Sequence, residues 1–115
     1  MIKLDTFTAA YVEAALWSST DDAGTPLDVA YSTADIAPET LAQMVADCQR
    51  FQADNDLSEG KLERAGHDFW LTRCGHGAGF WDGDWPETGD KLTEASKAFG
   101  NVDLYVGDDG KIYGL

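Results

Sequence analysis

Three segments of the chain repeat apolar residues every three or four positions, which is the spacing of a helix with one buried face. They are TFTAAYVEAALWSS at 6–19, IAPETLAQMVADCQRFQADN at 36–55 and ETGDKLTEASKAFG at 87–100. In the first segment Asp5 or Thr6 can cap the start of the helix, and Trp17 extends the apolar stripe. The pattern therefore predicts three helices.

Two other segments alternate apolar and polar residues with a period of two, which is typical of strands. In HDFWLTR at 67–73 the alternation predicts a strand with aromatic residues on both faces. The glycines of CGHGAG at 74–79 let the chain reverse and return through Phe80 and Trp81. In VDLYVGDDGKIYGL at 102–115 an Asp-Gly turn separates two shorter runs. Each segment predicts a β-hairpin.

Together these elements predict an α+β fold. Two hairpins can pair into one antiparallel sheet of about four strands, covered by about three helices, in the order α-α-β-β-α-β-β. A chain of 115 residues with 43% hydrophobic residues has enough core material to fold without a metal or a disulfide. We therefore expect a single domain over residues 1–115.

The charge is strongly acidic and unevenly distributed. The chain has 21 acidic and 8 basic residues, a net charge of −13, and residues 1–60 alone hold eleven acids and two bases. This charge repels nucleic acid and anionic membranes and favours a cationic partner, although an acidic surface also serves solubility without any partner. The balance therefore predicts no direct binding to nucleic acid or membrane.

Cysteine content and the first residues of the chain bear on its compartment. Two cysteines, Cys48 and Cys74, fall in a predicted helix and a predicted turn, which favours a reducing cytosol over a disulfide. MIKLDTFTAAYVEAALW has no charged leader followed by an apolar run, and no window is apolar enough to span a membrane. We expect a soluble, intracellular protein.

Two candidate chemistries centre on His67, Cys74 and His76. A hairpin would bring the three side chains near one another, but zinc usually takes four ligands, so a more distant cysteine or aspartate would have to join them. Alternatively, Cys74 could act as a nucleophile with His76 as its base, oriented by Asp68 or Asp82. The simpler interpretation is two histidines hydrogen-bonded within a hairpin and a cysteine that is one acceptable turn residue. No cofactor is predicted.

The WDGDW motif at 81–85 is difficult to explain by core packing alone. One tryptophan can pack inside, and the aspartates favour a turn before a helix. Aromatic side chains beside carboxylates also suit contact with a cationic protein surface. The predicted partner-binding residues are Arg73, His76, Trp81, Asp82, Asp84 and Trp85.

AGHDFWLTRCGHGAGFWDGDW at 65–85 and GDKLTEASKAFGNVDLYVGDDGKIY at 89–113 resemble a family of small uncharacterised proteins carried by bacteriophages and prophages. The two N-terminal helical segments are similar to the same family. Another residue is more usual in that family where this chain has Cys74. The resemblance implies a phage product that acts in the cytoplasm of the bacterial host, and it implies no cofactor or catalytic residue.

The leading hypothesis is a non-enzymatic accessory protein that binds and inhibits or modulates a cationic host protein. Such a partner would handle nucleic acid, for example in CRISPR or restriction defence, and the acidic face would take the place of phosphates. The alternative is a small zinc-dependent or cysteine-dependent enzyme centred on His67, Cys74 and His76. Assembly into a homo-oligomer is a third hypothesis.

Overall fold

Helices dominate the fold. The computed structural model describes residues 4–21, 23–55, 57, 59–75, 80, 85 and 89–114, and within them it contains five α-helices and one two-stranded sheet. In chain order the elements are α1 (Thr6–Ser18), α2 (Leu27–Ala30), α3 (Pro38–Asp54), α4 (Leu62–Arg73), α5 (Gly89–Lys97), β1 (Leu104–Val106) and β2 (Ile112–Gly114), with 3₁₀ turns at Thr33–Asp35 and Glu59–Lys61.

The most extensive packing between described elements joins α1 to α4. Their backbones approach closely because Gly66 has no side chain: a Cβ atom there would overlap the carbonyl oxygen of Phe7. Eight of the thirteen residues of α1 and eight of the twelve residues of α4 are buried. These two helices therefore form the centre of the molecule, and the other elements pack around them.

The first predicted hairpin is wrong. Residues 67–73 belong to helix α4, and Phe80 lies in a turn where its N–H donates to Thr72 Oγ1 at 3.2 Å. Helix α4 buries the polar residues Asp68 and Thr72 together with Phe69 and Leu71, so polar and apolar residues alternate here with the period of a strand. The predicted return through Trp81 lies outside the described residues.

The predicted α+β sheet must be corrected accordingly. The described residues form one sheet of two strands, β1 and β2, instead of two hairpins in a four-stranded sheet, and five helices replace the predicted three. The order α-α-β-β-α-β-β is therefore also wrong. The second hairpin is confirmed, with Leu104 opposite Gly114 and Val106 opposite Ile112. The three predicted helices are confirmed as α1, α3 and α5.

The start of α1 is fixed by the side chain of Asp5. Its carboxylate accepts hydrogen bonds from the N–H of Thr8 at 2.7 Å and from Gln52 Nε2 on α3 at 3.2 Å. Partial burial opposes ionisation, but the hydrogen bonds from Thr8 and Gln52 outweigh it and hold the pKa of Asp5 below its usual value. Of the two predicted caps the structure has Asp5, whereas Thr6 is the first residue of α1, and Asp5 also links α1 to α3.

A cluster of aromatic rings fills the core between α1, α3 and α4. Phe51 stacks on Phe69 with a centroid distance of 4.2 Å, and it also faces Phe7 and Phe80, each at 5.8 Å. Phe99 closes the cluster with an edge-on contact to Phe69 at 5.1 Å. Aromatic pairs at these separations stabilise beyond the apolar area that they bury.

The two-stranded sheet is attached to the helices through the turn before α3. The N–H of Ala37 donates to the carbonyl of Ile112 at 2.8 Å, and Ile36 and Ile112 form a parallel bridge. Ile112 is completely buried, so β2 contributes to the core. None of the helices in the described part of the chain combines the length and the apolar character needed to cross a bilayer.

Candidate functional site

The structure describes two of the six residues predicted to contact a partner, and both are buried. Arg73 and Trp85 each expose only 7% of their surface. A buried side chain offers little surface to an incoming protein. The other four residues, His76, Trp81, Asp82 and Asp84, lie outside the described residues.

Arg73, at the C-terminal end of α4, donates four hydrogen bonds inside the protein. Nε donates to the carbonyl of Gly100 at 2.8 Å and Nη2 to that of Phe99 at 2.9 Å. Nη1 donates to Tyr11 Oη at 3.1 Å and to Asp47 Oδ2 at 2.9 Å. Burial alone would lower the pKa of Arg73, but Tyr11 and Asp47 outweigh burial and raise it. The guanidinium therefore connects α4 to α1, α3 and the segment after α5.

Trp85 is held in place through the buried carboxylate of Asp68. The indole Nε1 of Trp85 donates to Asp68 Oδ2 at 2.9 Å, and Lys61 Nζ lies 5.0 Å from the centre of a Trp85 ring. Arg64 Nε, one turn before Asp68 on α4, is 3.6 Å from the same carboxylate oxygen. Asp68 thus serves to position Trp85 and Arg64, which explains why a carboxylate can occupy this interior position.

The described members of the predicted zinc or nucleophile site do not come together. Cys74 directly follows the last residue of α4, two turns after His67 and about 10 Å from it along the helix axis, and His76 lies outside the described residues. The Cys74 thiol donates to the carbonyl of Val102 at 3.5 Å, and burial raises its pKa, which disfavours the reactive thiolate. Cys48 is completely buried on α3. In the described ranges no three His, Cys, Asp or Glu side chains form a metal-binding group.

An open cleft of about 500 Å³ lies between α1, α2 and the start of α4. Each of two segments contributes a stripe spaced i, i+3, i+4, i+7, so that one face of each helix lines the cleft. The lining residues are Ala10, Glu13, Ala14 and Trp17 on α1, Asp28 on α2, and Gly60, Glu63, Arg64 and His67 on the 3₁₀ turn and α4. A volume of this size is within the roughly 300–1,000 Å³ range of small-ligand sites.

Trp17 is the aromatic side chain that this cleft presents to solvent. It is 55% exposed, whereas its neighbour Leu16 is buried. Its ring lies 6.0 Å from that of His67, so the two rings meet across the α1–α4 boundary. Ala10 and Ala14 are both buried, and their small side chains leave room beside the indole. Exposed tryptophan in a concave site is typical of binding surfaces.

Carboxylates surround this exposed indole. Glu13 precedes Trp17 by one helical turn, Glu63 precedes His67 by one turn, and Asp28 completes the rim from α2. All three side chains are exposed. Arg64 also lines the cleft, but its Nε is directed to Asp68 at 3.6 Å. The site therefore combines an aromatic surface with a negative potential, which favours a cationic ligand.

No protein-family model, curated protein or solved structure matches the chain. The resemblance to a phage protein family stays a prediction for this reason.

Trp17 is the site residue that sequence reasoning missed. The pattern assigned it to the apolar stripe of the first helix, because tryptophan follows directly after Leu16. One signal could have corrected this assignment: Glu13 is the charged residue within TFTAAYVEAALWS, and Trp17 lies one turn after it on the same helical face. A tryptophan that shares its face with a carboxylate is more exposed than one that shares it with leucine.

Proposed function

We propose that this protein binds a basic protein partner through the face that carries the Trp17 cleft, and that it acts by binding and not by catalysis. The observation that carries the proposal is the arrangement of the cleft, where an indole that is 55% exposed lies among the exposed carboxylates of Glu13, Asp28 and Glu63. Aromatic side chains provide contact area at low entropic cost, and carboxylates select a partner of opposite charge.

The distribution of charge supports the same function. Residues 1–60, which include α1, α2 and α3, hold eleven acids and two bases. Glu39 and Asp54 on α3 are exposed in addition to the carboxylates of the cleft. A field of this sign steers a basic protein towards the surface and speeds association at low salt. Carboxylates spread over a helical face can occupy the groove in which a basic protein holds phosphates.

The proposed setting follows from the resemblance of the sequence to bacteriophage proteins. In that setting the protein is a phage accessory protein that acts in the cytoplasm of the host, where it inhibits or modulates a nucleic-acid-handling complex such as a CRISPR or restriction system. The negative charge supports mimicry of nucleic acid as the mode of inhibition. Self-association is a separate proposal, which light scattering at two protein concentrations would test.

The binding proposal is tested by capture from bacterial lysate with the immobilised full-length chain. The cleft variant carries Glu13→Gln, Asp28→Asn and Glu63→Gln, and the matched control carries Asp90→Asn, Glu94→Gln and Asp108→Asn. Both variants lose three exposed carboxylates, so they have equal net charge. Captured proteins are identified by mass spectrometry after washes at low and high salt.

We expect a basic nucleic-acid-binding protein that is retained by the wild type and by the control, released by high salt, and lost with the cleft variant. Equal capture by both variants would show that the cleft face is not the binding surface. Absence of any basic protein at low salt would contradict the proposed function as a whole.

A further inference from the structure

We infer that the Trp17 cleft is a pocket for an arginine side chain of the partner. This inference rests on the proposed function, and it adds the chemistry of the group that enters the cleft. Three features of the site point to arginine: the exposed indole, the carboxylates on three separate elements, and the small residues Ala10 and Ala14 that line the cleft with the indole.

The first feature is the aromatic surface. The ring of Trp17 lies 6.0 Å from that of His67, and 55% of Trp17 is open to solvent. A cation over the face of an indole is attracted by the ring quadrupole, and tryptophan is the strongest of the aromatic residues in this interaction. Guanidinium is planar and weakly hydrated, so it stacks on such a surface better than the compact ammonium of lysine.

The second feature is the position of the carboxylates. Glu13 lies one turn before Trp17 on α1, Glu63 lies one turn before His67 on α4, and Asp28 approaches from α2. A group stacked on the indole is therefore bordered by acceptors that come from more than one direction. The five N–H donors of guanidinium form a fork that can bind several carboxylate oxygens at once, whereas ammonium acts as a point charge.

The protein already contains one arginine in an environment of this kind. Arg73 lies 5.6 Å from the ring centre of Phe69 and 5.5 Å from that of Phe99, and it donates to the carboxylate of Asp47 at 2.9 Å. That site combines aromatic faces with a carboxylate, and it is occupied from within the chain. The Trp17 cleft has the same combination of groups and is open to solvent.

Arg64 is the basic side chain that lines the cleft. Its Nε lies 3.6 Å from Asp68 Oδ2, and the Asp68 side chain is only 1% exposed. The charge of Arg64 therefore compensates the buried carboxylate. Glu13, Asp28 and Glu63 together outweigh it at the rim, which leaves the cleft attractive to a second cation.

The test uses the full-length protein and three blocked tripeptides, Gly-Arg-Gly, Gly-Lys-Gly and Gly-citrulline-Gly. Citrulline has nearly the shape of arginine and no charge. Binding is followed by NMR through the indole N–H signal of Trp17, assigned with the Trp17→Leu variant. Leucine retains apolar volume but has no π face, and Trp17 is exposed, so we expect this variant to fold. Tyr105→Ala is the matched control, since Tyr105 is also an exposed aromatic residue.

We expect the arginine peptide to shift the Trp17 indole signal saturably, the lysine peptide to bind several-fold more weakly, and the citrulline peptide to cause no shift. Trp17→Leu should weaken arginine binding about tenfold, measured through the remaining cleft amide signals, and Tyr105→Ala should leave the affinity unchanged.

Equal affinities for arginine and lysine, or an unchanged affinity in Trp17→Leu, would overturn the arginine pocket. An arginine peptide that leaves the Trp17 signal unmoved would do the same. The lysate experiment is independent of these peptides, so a basic protein lost with the cleft variant would still support the proposed function. If neither the arginine peptide nor a basic protein from the lysate binds the cleft, both the proposed function and the arginine pocket are contradicted.

Discussion

At the scale of single residues, charged side chains in the interior are used to join elements. Arg73 donates to Asp47 and Tyr11 on one side and to two backbone carbonyls on the other. Burial raises the pKa of the Tyr11 hydroxyl, so tyrosine remains neutral and accepts the hydrogen bond. Asp68 connects Trp85 to α4 in a comparable way. These hydrogen bonds explain how the charged side chains of Arg73 and Asp68 can be buried.

Replacing Arg73 by methionine should lower the free energy of unfolding by about 3–5 kcal/mol. Methionine fills part of the space, but Asp47 loses its buried partner and the carbonyls of Phe99 and Gly100 lose their donor. Urea denaturation measures the change. Arg50→Met is the control: Arg50 pairs with Asp54 at 3.8 Å on the surface, so its loss should cost less than about 1 kcal/mol. Similar losses in the two variants would refute the structural role of Arg73.

At the scale of secondary structure, the crossing of α1 and α4 determines how the core closes. Gly66 makes that crossing possible, because any side chain there would meet the backbone of Phe7. Backbone atoms cannot turn aside as a flexible side chain does, so the helices themselves would have to separate. Such a separation would also disturb the contact of Tyr11 with Trp70, whose ring centres are 5.4 Å apart.

Gly66→Ala should therefore destabilise the protein by about 3 kcal/mol, even though alanine is the better helix former. Gly60→Ala is the matched control, because a Cβ atom at Gly60 meets no atom within 4 Å. Thermal and urea denaturation of both variants provide the comparison. If Gly66→Ala were as stable as the wild type, the close approach of α1 and α4 would be incorrect.

Sequence patterns identify the helices whose buried positions are apolar, and they fail where polar residues are buried among the apolar ones. Helix α3 has a polar side, and the spacing of Met44, Cys48 and Phe51 reveals it. Helix α4 has buried residues at every position from Asp68 to Arg73, so the alternation of Phe69 and Leu71 with polar residues appeared to be a strand. Tertiary packing, which is absent from a local window, decides between the two.

The absence of tertiary packing from a local window also limits what the sequence predicts about the site. The acidic balance gives the sign of the surface potential, since charge is additive along a chain. Which tryptophan is exposed depends on packing: Trp85 is buried against Asp68, and Trp17 is open to solvent. Both tryptophans have carboxylates nearby in sequence, so local composition cannot separate them.

At the scale of the whole molecule, the net charge of −13 opposes compaction. We expect the free energy of unfolding to increase as sodium chloride is raised from about 0.01 M to about 0.15 M, because the Debye length falls from roughly 30 Å to roughly 8 Å. Urea denaturation at the two salt concentrations measures this response. The variant with Glu13→Gln, Asp28→Asn and Glu63→Gln should respond less. A loss of stability on adding salt would mean that attractive ion pairs outweigh the repulsion.

The rate at which the buried thiol of Cys48 is modified measures how often the core of the protein opens. Burial raises the pKa of this thiol, and an alkylating reagent attacks only an accessible thiolate, so each modification records an event in which the core has opened. Cys74 is half-buried, so we expect it to be modified faster than Cys48. A partner bound across α1 and α4 would slow the modification of Cys48, so this rate would report complex formation without an attached dye.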